Sequence, residues 1–254
     1  MSNKTEQRRS AIAELLKERG SITSKELVQL FHVTSETIRK DLNYLNNIGG
    51  ITKTHGGAIS STPYLNDLYR PIMELYSNEK KKIAAKAYEL LPQENMIIYI
   101  DSGSTAAYFA VQLATHPGLT VVTPSLLVSN ILQSYPQHQV FLTGGYINWE
   151  RQTLNYSLAY QYLKEFRFGY SFFGSAGIRY HNGATTAAHS EVNYKSTVAK
   201  NSEVNVVLCD RSKFSTGGIA QFLSWEQVNY FITDSDATEK DLGILPETLS
   251  VILA

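Results

Sequence analysis

Six short stretches of the 254-residue chain gather small, hydroxyl-bearing and acidic residues: 101-DSGST-105, 123-TPS-125, 143-TGG-145, 174-GSAG-177, 183-GATT-186 and 210-DRSK-213. Small residues let backbone N–H groups come close to a bound group, and Ser and Thr add hydroxyl donors. Where such a loop opens a helix, the helix N-terminus favours an anion. Lys213 or Lys195 can add a cation, and Asp101 and Asp210 can accept bonds from sugar hydroxyls. The combination suits a small phosphorylated polyol. It does not suit a nucleotide held by a glycine loop, because no G-x-x-x-x-G-K-[ST] and no G-x-G-x-x-G opening a helix is present.

A second constellation lies near the N-terminus. Residues 35–46 are predicted to be a helix in which Ile38, Leu42 and Leu45 fall at i, i+4 and i+7 and form a core stripe. The outward face then carries Glu36, Thr37, Lys40 and Asn43, with Arg39 at its shoulder and Ser35 at its N-terminal end. Arg and Asn have the donor and acceptor geometry for base edges, whereas Lys and Ser more often hold phosphates. Glu36 is a candidate for capping or salt bridging. Lys53 and His55 follow on a short basic strand and can touch the adjoining nucleic-acid backbone.

The elements around this face are consistent with that use. Residues 6–19 have helical spacing, with Gly20 as C-cap. Ser24 starts a second helix, SKELVQLF, and the turn 32–34 leads to the third, capped by Thr34 or Ser35. Glycine pairs at 49–50 and 56–57 around Ile51–Thr54 read as a hairpin. Three short helices and a hairpin describe a winged helix-turn-helix, whose third helix enters the major groove. Residues 1–58 hold nine Lys/Arg against six Asp/Glu, and the remainder fourteen against seventeen. A basic reader on a more acidic body is the organisation expected of a nucleic-acid binder with a second task.

Beyond a Tyr- and Pro-containing linker at 59–78, helices alternate with apolar strands. Strands are predicted at 96–100, 119–123, 139–143, 169–174, 204–209 and 229–232, and helices at 79–91, 105–115, 125–134, 155–164 and 190–200. That pattern implies an α/β fold with a mostly parallel sheet buried on both faces, and binding loops at the C-terminal strand ends. The domains are thus 1–58, a winged helix-turn-helix; 59–78, a linker; and 79–254, the α/β domain.

The segment RRSAIAELLKERGSITSKELVQLFHVTSETIRKDLNYLNNIGGITKTHGGAI, with Val33-Thr34, Thr37–Leu42 and His55–Ala58, resembles the N-terminal domain of the DeoR family of bacterial regulators. Glu79-Lys80, DSGST, LTGG, FFGSAGI, GATT and CDRSKF continue the resemblance into the family's effector domain, which is similar to sugar-phosphate isomerases. It implies operator recognition by residues 35–43, and a phosphorylated sugar effector that alters operator affinity. Carried over, the effector-binding residues are Asp101, Ser102, Gly103, Ser104, Thr105, Thr123, Gly144, Gly145, Gly174, Gly177, Gly183, Thr185, Thr186, Asp210, Ser212 and Lys213. Pro124 stands where the family usually has Asn, and Ala176 where it usually has Asp. Asn155-Tyr156 replace an apolar-Gly pair, and Arg151 is a shifted candidate for the basic residue after Gly144-Gly145.

The expected function is a DNA-binding regulator, a repressor of a carbohydrate operon; an activator is equally compatible with the residues. The competing reading is a sugar-phosphate isomerase with Asp101 or Asp210 as base, which the missing acid at Ala176 weighs against. The expected partners are double-stranded operator DNA, a small phosphorylated sugar and a second or further copies of the chain, as homodimer or homotetramer. No cofactor or metal is implied: His181 and His189 lack companion ligands, and the single Cys209, in an apolar strand, is expected to be buried and inert. No run approaches eighteen apolar residues and the N-terminus is charged, so a cytoplasmic protein without a membrane partner is expected.

Overall fold

The computed structural model describes residues 3–19, 21–47, 51–54, 56–60, 73–155 and 160–254. Contacts divide the chain into two compact units, Met1–Pro71 and Ile72–Ala254.

In the first unit, α1 (Asn3–Arg19), α2 (Ser24–Phe31) and α3 (Ser35–Asn47) accompany β1 (Ser21–Thr23), β2 (Ile51–Lys53) and β3 (Gly57–Ser60). Thr23 caps α2 in a reciprocal box with Glu26, and His32 ends it in the left-handed conformation, φ 50°. The Thr34 hydroxyl accepts from the Thr37 amide at 3.2 Å, so Thr34 takes the capping role at α3. Ile38, Leu42 and Leu45 are buried as the stripe predicts, packing with Ile12, Leu16 and Leu27. The expected two-stranded wing is three-stranded and antiparallel, in the order β1-β3-β2. β1 has three residues and only one buried side chain, too short to show a period. Gly57 is required where β3 meets β1, since a Cβ there would stand 2.1 Å from the Ile22 carbonyl oxygen. Gly20, the pair 49–50, His55, most of the linker and Tyr156 lie outside the described residues.

The second unit is built on a seven-stranded, wholly parallel sheet. Its strands are β4 (Ile97–Ile100), β5 (Thr120–Thr123), β6 (Gln139–Leu142), β9 (Phe168–Gly174), β11 (Ser202–Leu208), β13 (Tyr230–Thr233) and β14 (Ser250–Leu253), in the order β14-β13-β11-β9-β4-β5-β6. The period-2 alternation of a strand divides its side chains between two cores. Ile98, Ile100, Val206 and Leu208 face α4 (Ser77–Glu89), α5 (Ser104–Gln112) and α6 (Leu126–Leu132). Tyr99, Val207 and Phe231 face the other core, with Tyr194 and Val198 of α8 (Val192–Lys200). Burial on both faces explains why these strands read as unbroken apolar runs.

Two antiparallel ribbons were not expected: β7 (Tyr146–Asn148) with β8 (Thr153–Asn155), and β10 (Gly183–Thr186) with β12 (Ala220–Ser224). The helix predicted over 155–164 is corrected at its start, where Asn155 closes β8; among the described residues of that stretch α7 (Tyr160–Leu163) is helical, and 156–159 lie outside the described residues. A short helix α9 (Glu239–Leu242) precedes β14, and the C-terminal LSVILA supplies β14 itself, hydrogen-bonded to β13.

Candidate functional site

On the first unit, the outward face of α3 holds its polar groups in pairs. Arg39 forks onto Glu36, with Nε 2.8 Å from Oε2 and Nη2 2.7 Å from Oε1. That hydrogen bond to Arg39 holds the Glu36 carboxyl below its usual range. Both side chains are more than half exposed, so the pair can open in water at little cost. Lys53 on β2 donates to Asn43 Oδ1 at 2.8 Å, and its amide donates to Asn46 Oδ1 at 2.9 Å, which ties the wing to α3. Thr37 is engaged with the Thr34 hydroxyl at 2.9 Å. Ser35 and Lys40 are exposed. Ser35, Thr37, Arg39, Lys40, Asn43 and Lys53 are therefore carried on α3 and the adjoining strand; His55 lies outside the described residues. Arg8 and Arg9 behave differently: both donate through Nε to the buried Asp41, at 2.6 and 2.8 Å, and fasten α1 to α3.

On the second unit, chain direction within the sheet reverses its progress between β4 and β9. Strands β5 and β6 are added on one side of β4, then β9, β11, β13 and β14 on the other. The carboxyl ends at such a switch point open a crevice where ligands bind in α/β sheets. Asp101 follows β4 at this point and is fully buried. Its Oδ2 accepts from Lys195 Nζ at 2.7 Å and from the Gly174 amide at the end of β9 at 3.3 Å, and its Oδ1 from the Tyr99 hydroxyl at 3.2 Å. The Tyr194 hydroxyl donates to that of Tyr99 at 2.8 Å. Lys195 also lies 3.2 Å from Glu191 Oε2, which accepts from the Thr186 hydroxyl at 2.5 Å. Arg151, at the tip of the β7–β8 ribbon, brings Nη1 to 3.6 Å from Glu191 Oε1.

Electrostatics separates the two carboxylates. Burial alone would drive the Lys195 ammonium neutral, but Asp101 and Glu191 reverse this and hold its pKa up. Burial pushes Asp101 up against the pull of Lys195. Burial also raises Glu191, but Lys195 and the Thr186 hydroxyl outweigh it, so its pKa falls. Glu191 is thus the firmly ionised partner, and Asp101 is the one that depends on Lys195 for its charge.

The predicted loops occupy distinct places around this network. Ser102, Gly103, Ser104 and Thr105 form the turn into α5. Gly103 has φ 116° and open space where a Cβ would stand, and no side chain caps the helix. Gly144 is open in the same way, at φ 77°. Gly145, Gly177 and Gly183 instead back onto chain: a Cβ there would approach the carbonyl oxygens of Asn155, Thr216 and Leu223 to 1.9, 2.1 and 1.9 Å. Thr123 and Thr185 are fully buried. The Thr123 hydroxyl accepts from the Ser125 amide, and that of Thr185 bonds Gly177 and Gly218. Pro124 and Ala176 act through their backbones, the first accepting from the Leu154 amide and the second donating to Thr185, each at about 2.9 Å or closer.

Asp210, Ser212 and Lys213 gather at the end of β11, two strands from Asp101 and so about 10 Å away at the usual spacing. The Asp210 carboxylate accepts from the Ser212 amide at 3.0 Å. Lys80 is buried close enough to feel both Asp210 and Lys213, and burial lowers its pKa. Cys209 is buried in the core, which pushes its thiol up to about 12. Sequence reasoning left out Glu191, Tyr99 and Tyr194. The i, i+4 pair Glu191/Lys195 on a predicted helix was the available signal.

Residues 8–63 match the model of the DeoR-like helix-turn-helix domain, and residues 76–235 that of the DeoR C terminal sensor domain. A reader of DNA and a sensor on one polypeptide make this chain a DNA-binding transcriptional regulator. Its relatives are regulators as well. The glycerol-3-phosphate regulon repressor of Escherichia coli is 29% identical over 96% of each chain. The L-fucose operon activator of Haemophilus influenzae is 30% identical over 88% of this chain and 89% of its own. The chain belongs to the DeoR family. Among solved structures, ribose 5-phosphate isomerase A of Methanocaldococcus jannaschii is 20% identical over 54% of each chain, with a TM-score of 0.40. Among the described residues no helix is long and apolar enough to cross a membrane.

Proposed function

We propose that this chain is a cytoplasmic repressor of a carbohydrate operon whose operator affinity is set by a small phosphorylated sugar in the β4/β9 crevice. The observation that carries the reading is the pairing of an uncapped α5 N-terminus over Gly103 with a buried network of Asp101, Lys195 and Glu191 beside it. The amides of Ser104 and Thr105 are placed for the phosphate, because a helix N-terminus presents unpaired N–H groups and positive potential. Asp101, Glu191 and Thr186 are placed for the hydroxyls, and Lys213 and Lys80 add cations at the next strand end. The Escherichia coli relative is named for glycerol 3-phosphate, a phosphorylated polyol, which supports this ligand class.

Arg39, Lys40, Asn43, Ser35, Thr37 and Lys53 then meet DNA, with α3 in the major groove and two copies reading two half-sites. Arg39 must exchange Glu36 for a base or phosphate. Asn43 must release Lys53 before its amide can serve an adenine edge, which needs the Oδ1 acceptor free.

The test is fluorescence anisotropy on DNA flanking the protein's own gene, at two salt concentrations, with and without a panel of sugar phosphates. Specific, salt-sensitive binding that one phosphate ester changes is the expected result. Specific binding indifferent to every ester would remove the effector from the proposal, and weak binding equal on all DNA would remove the operator.

A further inference from the structure

Among the described residues no strand pairs with the outer edge of β6, and its residues are not those of a protected edge. Natural edge strands are blunted with Lys, Pro, bulges or a covering element. From Gln139 to Trp149 this chain has no charged residue and no proline. Phe141 and Leu142 on β6 are each close to half exposed, and past Gly144-Gly145 the rings of Tyr146 and Trp149 are 73% and 67% exposed. Phe141, Leu142, Thr143, Tyr162 and Phe166 line a cavity of about 320 Å³, room for one aromatic side chain. The Thr143 hydroxyl is buried there without a hydrogen-bond partner, a state that costs roughly 1–3 kcal/mol unless something supplies one.

We infer that this edge is the self-association surface of the protein, and that a second copy of the chain covers it. The patch holds both halves of a fit, projecting rings with polar tips and an apolar cavity with an unpartnered hydroxyl. A two-fold axis brings each half against the other twice, as an isologous interface requires. The Trp149 indole N–H or the Tyr146 hydroxyl of the incoming copy is the group that satisfies Thr143. The uncharged run 139–149 has nothing to offer DNA phosphates and can meet itself without burying an unpaired charge, and the neighbouring Lys164 and Glu165, exposed between Tyr162 and Phe166, are of opposite sign. Exposed aromatic and aliphatic side chains of this number present on the order of 800 Å² per copy, one partner's share of a standard interface. The inference does not depend on what the crevice binds.

The experiment is sedimentation velocity on the full chain at micromolar concentration. The wild type is expected to run as a dimer or larger. Phe141→Ser with Tyr162→Ser is expected to raise the dissociation constant at least about 10-fold with an unchanged far-ultraviolet circular dichroism spectrum. Tyr180→Ser, 86% exposed and outside the patch, is expected to change nothing. A second readout uses Ile147→Cys. Cys209 is buried, so maleimide reports the new thiol, which is expected to label slowly when concentrated and quickly on dilution. A monomeric wild type, a folded double variant that associates as the wild type does, or a labelling rate independent of concentration overturns the inference.

Discussion

Replacing Lys195 with Met tests how the sensor unit holds two acids out of water. Lys195 is 5% exposed, and it lies between Asp101, which is fully buried, and Glu191. Methionine fills much the same space without the charge. Glu191 keeps Thr186 and Arg151, but Asp101 is left with neutral partners, the Tyr99 hydroxyl and the backbone amides of Gly174 and Ser102. The acid then escapes its penalty by taking up a proton. Starting from an ordinary carboxyl pKa of 3.8, protonation costs about 4 kcal/mol at pH 7 and about 1.5 kcal/mol at pH 5, at 1.36 kcal/mol per pH unit. The folded variant holds a proton that the unfolded chain releases, so its deficit grows as pH rises and shrinks as pH falls. We expect a loss of about 3–4 kcal/mol at pH 7, falling by about 1.4 kcal/mol per unit toward pH 5. Urea unfolding followed by tryptophan fluorescence reads this unit alone, because both tryptophans, Trp149 and Trp225, belong to it. Adding Asp101→Asn should recover most of the loss and flatten the pH dependence. A loss below about 1 kcal/mol, the scale of an exposed ion pair, or one equal at pH 5 and pH 7, would refute the claim that Asp101 owes its charge to Lys195.

Three further outcomes are expected. Arg39→Ala should weaken operator binding by about 1–3 kcal/mol and leave ligand affinity of the sensor unit unchanged. Glu36→Gln should free Arg39 and strengthen binding; weaker binding would mean that Glu36 aims Arg39 rather than restraining it. His138 is buried, its Nδ1 has no partner, and burial lowers its pKa below 6.5. Its contribution is complete above pH 6.5 and is lost as pH falls toward the folded value. The sensor unit's thermal midpoint should therefore drop from pH 7.5 to 5.5, at no more than about 1.4 kcal/mol per unit, and His138→Gln should remove that part of the slope.

The parallel sheet was legible because MIIYI, LTVVT and VNVVLC are buried on both faces and contain almost nothing else. The ribbons were not, because YIN, TLN and GATT are three or four residues of mixed polarity that show neither period. The reading of 155–164 as helix started too early, because Asn155 pairs with Tyr146 and belongs to β8. Asp101 was visible as an acid at a strand end. Its partner Lys195 stands 94 residues later, and only the folded sheet brings α8 to it. The Arg8/Arg9–Asp41 clamp was hidden for the same reason, so the charge count of the first unit overstates the cations free to meet DNA.

The order of the sheet also has a consequence for synthesis. The crevice exists only when β9 has paired with β4, whose residues were made about 70 positions earlier, and when Lys195 has followed. The first unit has its own core and closes by Pro71. At 5–20 residues per second, the 124 residues between Pro71 and Lys195 occupy the ribosome for about 6–25 s. Each nascent chain therefore passes through an interval in which its DNA reader is complete and its sensor is not. Chains stalled near residue 150 should show a protease-resistant first unit ahead of a still-digestible second one.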